Sequence, residues 1–132
     1  MTQGEVHHIG IAVEDLATAA KPYQVLGYEL EAADTVESQG VEVWMLKCGH
    51  SRLELLRATR PDSAIAKFIE KRGAGMHHVA LATPDIRAEL ARLEAQHVPL
   101  IDTAPRPGFG GHLVAFIHPK WSGVLIELVE AH

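Results

Sequence analysis

The chain has 132 residues, the size of a single domain, and its 47% hydrophobic and 22% charged residues are typical of a globular protein. The formal net charge of −5 and the lack of a long apolar run argue against nucleic-acid and membrane partners. One cysteine, Cys48, and a start that does not resemble a secretory signal predict a cytoplasmic location. Nine histidines make a histidine-based metal site the first possibility to consider.

A ten-residue segment near the start recurs 70 residues later and divides the chain into two halves. His7–Leu16 aligns with His77–Ile86, with four of the ten positions identical. In each half an aspartate, Asp15 or Asp85, precedes a stretch with helical character and is well placed as an N-cap. The repeat therefore predicts that the two halves have the same architecture.

Helical segments are predicted after each copy of the repeat and between the halves. Pro22 is expected to kink or shorten the first helix, and Gly27 is a plausible stop for it. The predicted helices are Leu16–Val25, Ser63–Lys71 and Ile86–Gln96.

Strands close each half. The turn at Cys48–Ser51 separates two of them, and the turn at Pro119–Gly123 separates the equivalent two. The pattern thus predicts a strand, a helix and further strands in each half. We expect the two halves to form one curved sheet with helices outside, in the α+β class. The predicted strands are Val41–Leu46, Leu53–Leu56, Leu113–His118 and Val124–Val129.

Two histidines and two glutamates occupy equivalent positions in the halves. Alternation along the first strand places His8 on a face with Gly10 and Ala12, whose small side chains leave space, and His78 is placed in the same way in the second copy. Glu54 and Glu127 lie in strongly apolar strands, where an unpaired buried carboxylate costs several kcal/mol. Taken singly each would be an ordinary strand residue; because all four repeat, we favour a metal site.

The other histidines are assigned no metal role. His7 and His77 fall on the opposite strand face and are expected to pack against helices or form hydrogen bonds. Those without a counterpart in the repeat are expected to be solvated: His50, His97, His112 and His132. Nitrogen and carboxylate ligands suit Co, Ni, Mn, Fe or Zn as divalent ions.

Segments along nearly the whole chain resemble the methylmalonyl-CoA epimerases of the vicinal oxygen chelate (glyoxalase/bleomycin resistance) superfamily. The resemblance implies one domain of paired βαβββ modules, about residues 5–58 and 75–131 with a linker helix at about 62–73, whose curved mixed sheet cups a metal site. The segments that carry it are His7–Val13, Glu37–Val41, Pro61–Phe68, Gly75–Ala80, Phe116–Lys120 and Gly123–Leu128.

The resemblance also implies an activity and a set of ligands. It implies an isomerase that interconverts the (R) and (S) epimers of methylmalonyl-CoA in propionate metabolism, as a homodimer with an acyl-CoA substrate and a divalent ion, Co2+ favoured over Mn2+, Ni2+ or Zn2+. His8, His78 and Glu127 match the family's metal ligands, and Glu54 occupies a fourth position that is often Gln or Glu.

The chain departs from the resemblance at the catalytic base, because some family members carry a glutamate where this chain has Val43. The adjacent Glu42 should face the other way and is expected to be a solvated charge. We therefore assign proton transfer to Glu127 first and to Glu54 second.

Three further residues are candidate substrate contacts. Arg106, in a glycine-rich connector, and Lys120 are candidates for binding coenzyme A phosphates or the substrate carboxylate, although an ordinary solvated loop is about equally compatible with the sequence. His118 shares a predicted strand face with Phe116 and Val114 and is the third candidate.

Two other functions remain open. A glyoxalase I-like lactoylglutathione lyase would use the same two-His, two-Glu ligand set on a glutathione hemithioacetal. A non-enzymatic small-molecule-binding protein of the same superfamily would use the cleft without metal, which the paired His and Glu residues disfavour.

Overall fold

A computed structural model describes residues 2–131 of the chain, which divide into two compact units. One unit is His8–His77, and the other combines residues 2–7 with residues 78–131. We refer to them as the first-repeat unit and the second-repeat unit, after the copy of the repeat whose helix each contains.

The first-repeat unit has a four-stranded sheet in the order β2-β3-β4-β1. β1 runs parallel to β4, whereas the β2/β3 and β3/β4 pairs are antiparallel. Its elements are β1 (Val6–Ala12, which enters this unit at His8), α1 (Leu16–Val25), β2 (Glu29–Val36), β3 (Val41–Cys48), β4 (Ser51–Ala58) and α2 (Ala64–Arg72).

The second-repeat unit repeats this arrangement with the strand order β5-β8-β7-β6. β5 runs parallel to β8, and the other two pairs are antiparallel. Its elements are β5 (Gly75–Thr83, which enters this unit at His78), α3 (Ile86–Ala95), β6 (Arg106–Pro107), β7 (Leu113–Ile117), α4 (Pro119–Ser122) and β8 (Leu125–Glu130). The predicted α+β class with paired βαβββ modules is therefore confirmed; the single-domain organisation stays a prediction.

Both repeated helices begin at the predicted caps. The carboxylate of Asp15 accepts a hydrogen bond from the backbone N–H of Thr18 at 2.9 Å, and Asp85 accepts one from Ala88 at 3.1 Å. The hydrogen bonds to Thr18 hold the pKa of the Asp15 carboxyl below its usual value of 3.8. The connecting helix also agrees with its prediction, since Ser63 caps α2 through a bond from Ala66 N–H.

Two local expectations differ from the structure. Pro22 does not shorten α1, which runs to Val25 as predicted, because the ring lies in the last turn and removes only one helical hydrogen bond; the kink stays a prediction. The segment after β7 forms the short helix α4 rather than a simple turn, with Pro119 at its start and Gly123 in the left-handed region at its end. β7 consequently ends at Ile117, and His118 leaves the strand to cap α4.

Each unit buries a hydrophobic cluster between its first helix and its sheet. In the first-repeat unit α1 packs on Leu46 and Leu55, with Ile11 of β1 against the same cluster. In the second-repeat unit Leu81 of β5 packs against the cluster formed by α3 and the strands β7 and β8. The bulky residues of the repeated strands thus pack under helices as predicted, and the opposite faces carry His8 and His78. Among residues 2–131, no helix has the length and apolar character that crossing a membrane requires.

Candidate functional site

His8 and Glu54 form a buried pair in the first-repeat unit. The parallel pairing of β1 with β4 places Glu54 opposite Gly10, the next residue on the strand face that carries His8. His8 Nε2 lies 3.4 Å from Glu54 Oε1. The histidine therefore provides a polar neighbour for a carboxylate that an apolar strand would otherwise bury at a high cost.

The second-repeat unit contains the equivalent pair, His78 and Glu127, which are also buried. Glu127 lies opposite Ala80, and its Oε1 is 3.1 Å from His78 Nε2. The two repeats thus have the same strand register. Each unit contains the same His–Glu pair, with a small residue opposite the glutamate.

Small or apolar side chains neighbour each pair on its strand face. In the first-repeat unit the register puts Val43, Met45 and Leu56 on the face of Glu54. In the second-repeat unit Ala82, Val114 and Val129 share the face of Glu127. These immediate neighbours offer no groups that compete for the ligand atoms.

The donor chemistry of these side chains suits a divalent metal ion. Each of the four is buried and offers one ligand atom, an imidazole nitrogen or a carboxylate oxygen. Imidazole with carboxylate is a donor set that Zn, Mn, Fe, Co and Ni accept, and two carboxylates balance the charge of a divalent cation.

Glu42 faces away from this set, as the strand alternation predicts. It lies opposite Arg57 in the β3/β4 register, and its Oε1 accepts hydrogen bonds from Arg57 Nη2 at 2.6 Å and Nε at 3.0 Å. Val43 takes the position on the face of Glu54. A half-exposed ion pair across neighbouring strands accounts for Glu42 without a catalytic role.

The candidate substrate contacts lie at two places in the second-repeat unit, the start of α4 and the strand β6. Lys120 is exposed on α4, and its backbone N–H donates to Nδ1 of His118 at 3.1 Å. Arg106, on β6, has its guanidinium carbon 5.4 Å from the centre of the Phe116 ring. The roles assigned to these three residues stay predictions.

Phe116 and Asp102 are neighbours of Arg106 to which sequence reasoning gave no role. The Phe116 ring stands edge-to-face to His78, with 6.0 Å between ring centres, and Asp102 Oδ2 lies 3.5 Å from Arg106 Nε. The same Asp102 oxygen accepts the backbone N–H of Phe116. Nothing in the sequence marks Asp102, because its link to Phe116 depends on the path of the loop between α3 and β6.

The contacts and exposure of most remaining histidines agree with the predictions. The His77 ring packs edge-to-face on Phe68 of α2, with 4.9 Å between ring centres. His7 has its ring 6.4 Å from that of His112. His50, His97 and His112 are exposed, while His132 lies outside the described residues.

Comparison with known proteins places these features in a family. Residues 7–116 match the family model of the Glyoxalase/Bleomycin resistance protein/Dioxygenase superfamily. The chain is 42% identical over 125 residues to the uncharacterized protein YqjC of Bacillus subtilis, covering 93% of this chain and 89% of that protein. It is 36% identical over 131 residues to the ethylmalonyl-CoA/methylmalonyl-CoA epimerase of Cereibacter sphaeroides, covering 96% and 98%.

A solved structure agrees with the whole fold. The methylmalonyl-CoA epimerase in complex with methylmalonyl-CoA and NH4+ matches with a TM-score of 0.91 and 39% identity, covering 97% of this chain and 94% of that one. The chain therefore belongs to the Glyoxalase/Bleomycin resistance protein/Dioxygenase superfamily. Within that superfamily its homologues include methylmalonyl-CoA epimerases, which indicates an isomerase.

Proposed function

We propose that this protein is a methylmalonyl-CoA epimerase, which interconverts the (R) and (S) epimers by removing and replacing the proton at C2. The observation that carries the proposal is the repeated His–Glu pair, His8 with Glu54 and His78 with Glu127, on a chain similar over 97% of its length to an epimerase solved with methylmalonyl-CoA. An acyl-CoA thioester is accordingly the proposed substrate, and propionate metabolism the proposed context.

The four paired residues are the proposed ligands of one divalent ion: His8, Glu54, His78 and Glu127. Their nitrogen and oxygen donors favour Co2+ and accept Mn2+, Ni2+ or Zn2+. When bound, the ion supplies Lewis acidity that stabilises negative charge on a carbonyl oxygen of the substrate. The residues opposite the glutamates, Gly10 and Ala80, have the small side chains that a binding site for an acyl group requires.

Proton transfer is assigned to the glutamates. The C2 proton is acidified by the thioester carbonyl, and its loss to a carboxylate oxygen leaves a planar carbanion with its charge on the thioester oxygen. Return of a proton to the opposite face inverts C2, so a second acid is needed or the first must move. Glu127 is the first candidate for the base and Glu54 the second, because no carboxylate stands at Val43.

A glyoxalase I-like lactoylglutathione lyase is the second candidate function. The observation that favours it is the full set of two histidines and two glutamates, which is the ligand set of that enzyme type. Both reactions move a proton next to a carbonyl group, so the substrate decides between them. A non-enzymatic binding protein of the same superfamily is the third possibility, and we expect it to bind no stoichiometric metal.

The decisive experiment uses one epimer of methylmalonyl-CoA in deuterated water, with Co2+-loaded and EDTA-treated protein. We expect metal-dependent deuterium exchange at C2 by NMR together with inversion in a mutase-coupled assay. Exchange without inversion would indicate a single working face and contradict the epimerase proposal. No exchange by metal-loaded protein, combined with turnover of a glutathione hemithioacetal, would replace it with the lyase.

The quaternary structure and the cellular location of this protein are also proposals. A homodimer in the cytoplasm is expected from the family resemblance and from the single exposed cysteine. Sedimentation equilibrium of the purified protein measures its oligomeric state directly.

A further inference from the structure

Arg106 lies on the same strand face as the second His–Glu pair. In the second-repeat unit Arg106 is opposite Val114, Val114 is opposite Val129, and Phe116 is opposite Glu127. Because directly opposed residues in a sheet project to the same side, Arg106, Phe116 and Glu127 share one face. Arg106 is thus a cation on the surface that carries the proposed ligands His78 and Glu127.

The guanidinium group is held in place by two neighbours. Its carbon lies 5.4 Å from the centre of the Phe116 ring, within the range of a cation–π contact, and Phe116 in turn contacts His78 edge-to-face. Asp102 approaches Arg106 Nε at 3.5 Å and accepts the Phe116 backbone N–H at 2.9 Å. These contacts orient a side chain that would otherwise be mobile on a two-residue edge strand.

Arg106 keeps the capacity to bind an anion in this arrangement. The ion pair with Asp102 involves Nε, whereas the fork of a guanidinium group offers five N–H donors in all, so the two terminal nitrogens can meet a second carboxylate. The Arg106 side chain is 47% exposed, which leaves it accessible to a ligand. A planar guanidinium fork beside an aromatic ring is suited to a carboxylate in a way that a lysine is not.

The contacts of Phe116 distinguish between the two anionic parts of the substrate. The same ring neighbours both Arg106 and His78, so the guanidinium group and the imidazole lie on either side of one aromatic side chain or at its edge. In an acyl-CoA the phosphates lie at the far end of the pantetheine arm, whereas the free carboxylate of a malonyl thioester is one carbon from the thioester carbonyl. We propose that Arg106, oriented by Phe116 and Asp102, binds that free carboxylate and makes the protein selective for thioesters that carry one. This inference rests on the proposed function, since it places the reacting thioester near His78.

The test compares two ligands that differ only in the carboxylate. Isothermal titration calorimetry gives the dissociation constants of malonyl-CoA and acetyl-CoA for the wild type, R106M and R106K, in EDTA and with Co2+. Loss of a charge-assisted contact should lower the preference for malonyl-CoA at least about tenfold in R106M, even in EDTA. R106K should recover part of it, since it keeps the charge without the fork.

Arg92 provides a matched control. It is an exposed arginine of the same unit, on α3, bonded to Glu89, and R92M should keep the wild-type preference. Because the preference is a ratio measured on one preparation, partial unfolding of a variant affects both ligands equally.

Two results would overturn the inference. An equal weakening of both ligands in R106M would assign Arg106 to the coenzyme A moiety. An unchanged preference for malonyl-CoA over acetyl-CoA in R106M, together with a lower thermal midpoint, would mean that Arg106 only anchors the loop. The proposed function fails separately: a wild type that prefers malonyl-CoA through Arg106 but exchanges no C2 proton would keep this inference and lose the epimerase.

Discussion

Glu54 lies directly across the sheet from Gly10, on the neighbouring parallel strand. This register brings its Oε1 to 3.4 Å from Nε2 of His8, which precedes Gly10 by two residues on the same face. Glu127 lies across from Ala80 in the other unit and stands in the same relation to His78, at 3.1 Å. The duplicated sequence therefore preserves a strand register as well as a list of residue types.

Removing any one of the four proposed ligands should weaken metal binding. We expect H8A, E54A, H78A and E127A each to lower Co2+ affinity by more than the roughly 10- to 100-fold cost of losing an outer partner of a metal ligand. Metal content by mass spectrometry after dialysis measures this, with about one ion per wild-type chain expected. H50A, in the exposed β3–β4 turn, is the control and should bind like the wild type. Wild-type affinity in all four variants would place the ion elsewhere.

Metal should also raise the thermal stability of the protein. An ion bound by the folded state alone, at 100 times its dissociation constant, contributes about 2.7 kcal/mol to the free energy of unfolding. Calorimetry with Co2+ and with EDTA should therefore give a higher midpoint for the loaded wild type, and the gain should disappear in E127A. An equal gain in E127A would show that the ion acts outside the proposed set.

Substitution of Glu127 by glutamine should strongly lower the rate of proton transfer at C2, whereas the same substitution at Glu42 should not. E127Q removes the proposed base at nearly constant volume, and we expect C2 exchange to fall about 100-fold or more. E42Q loses only a half-exposed ion pair with Arg57, so exchange should stay within about twofold and stability within about 1 kcal/mol. A strong loss of exchange in E42Q would give Glu42 a role that its orientation argues against.

The stability of the folded protein should depend on Asp15 in acid. Its pKa is lowered, so its carboxylate stabilises the folded state fully above the unfolded pKa, and this contribution is lost as the pH falls through the lower folded pKa. D15N keeps a side-chain oxygen that can cap the helix but cannot titrate. The urea midpoint of the wild type minus that of D15N should therefore decrease from pH 5 to pH 3. A constant difference would contradict a stabilising role of the Asp15 charge.

Core and surface residues of the first-repeat unit should respond differently to truncation. Leu55 is fully buried in the cluster under α1, and L55A should lower the free energy of unfolding by about 2–5 kcal/mol. Val25, at the end of α1, is 87% exposed, and V25A should change it by less than about 0.5 kcal/mol. Chemical denaturation measures both variants; similar effects would mean that Val25 is covered in solution, for example by a second copy of the chain.

Much of the fold was predictable because local rules apply to it directly. Asp15 and Asp85 cap their helices, and the small residues after His8 and His78 fall on the predicted face, because strand alternation and capping depend only on neighbours in the chain. The effect of Pro22 and the helix Pro119–Ser122 were harder to predict from the sequence. A proline in the last turn of a helix lowers its stability only a little, and a proline at a helix start is favourable.

The sequence by itself determined the duplication, the α+β class and the residue types of the proposed ligand set, since these follow from the repeat and from periodicity. Only the tertiary structure decided the strand register that puts Glu54 beside His8 and the loop path by which Asp102 and Phe116 hold Arg106. The physical reason is that register and loop path depend on contacts between residues far apart in the chain, and no local pattern encodes them.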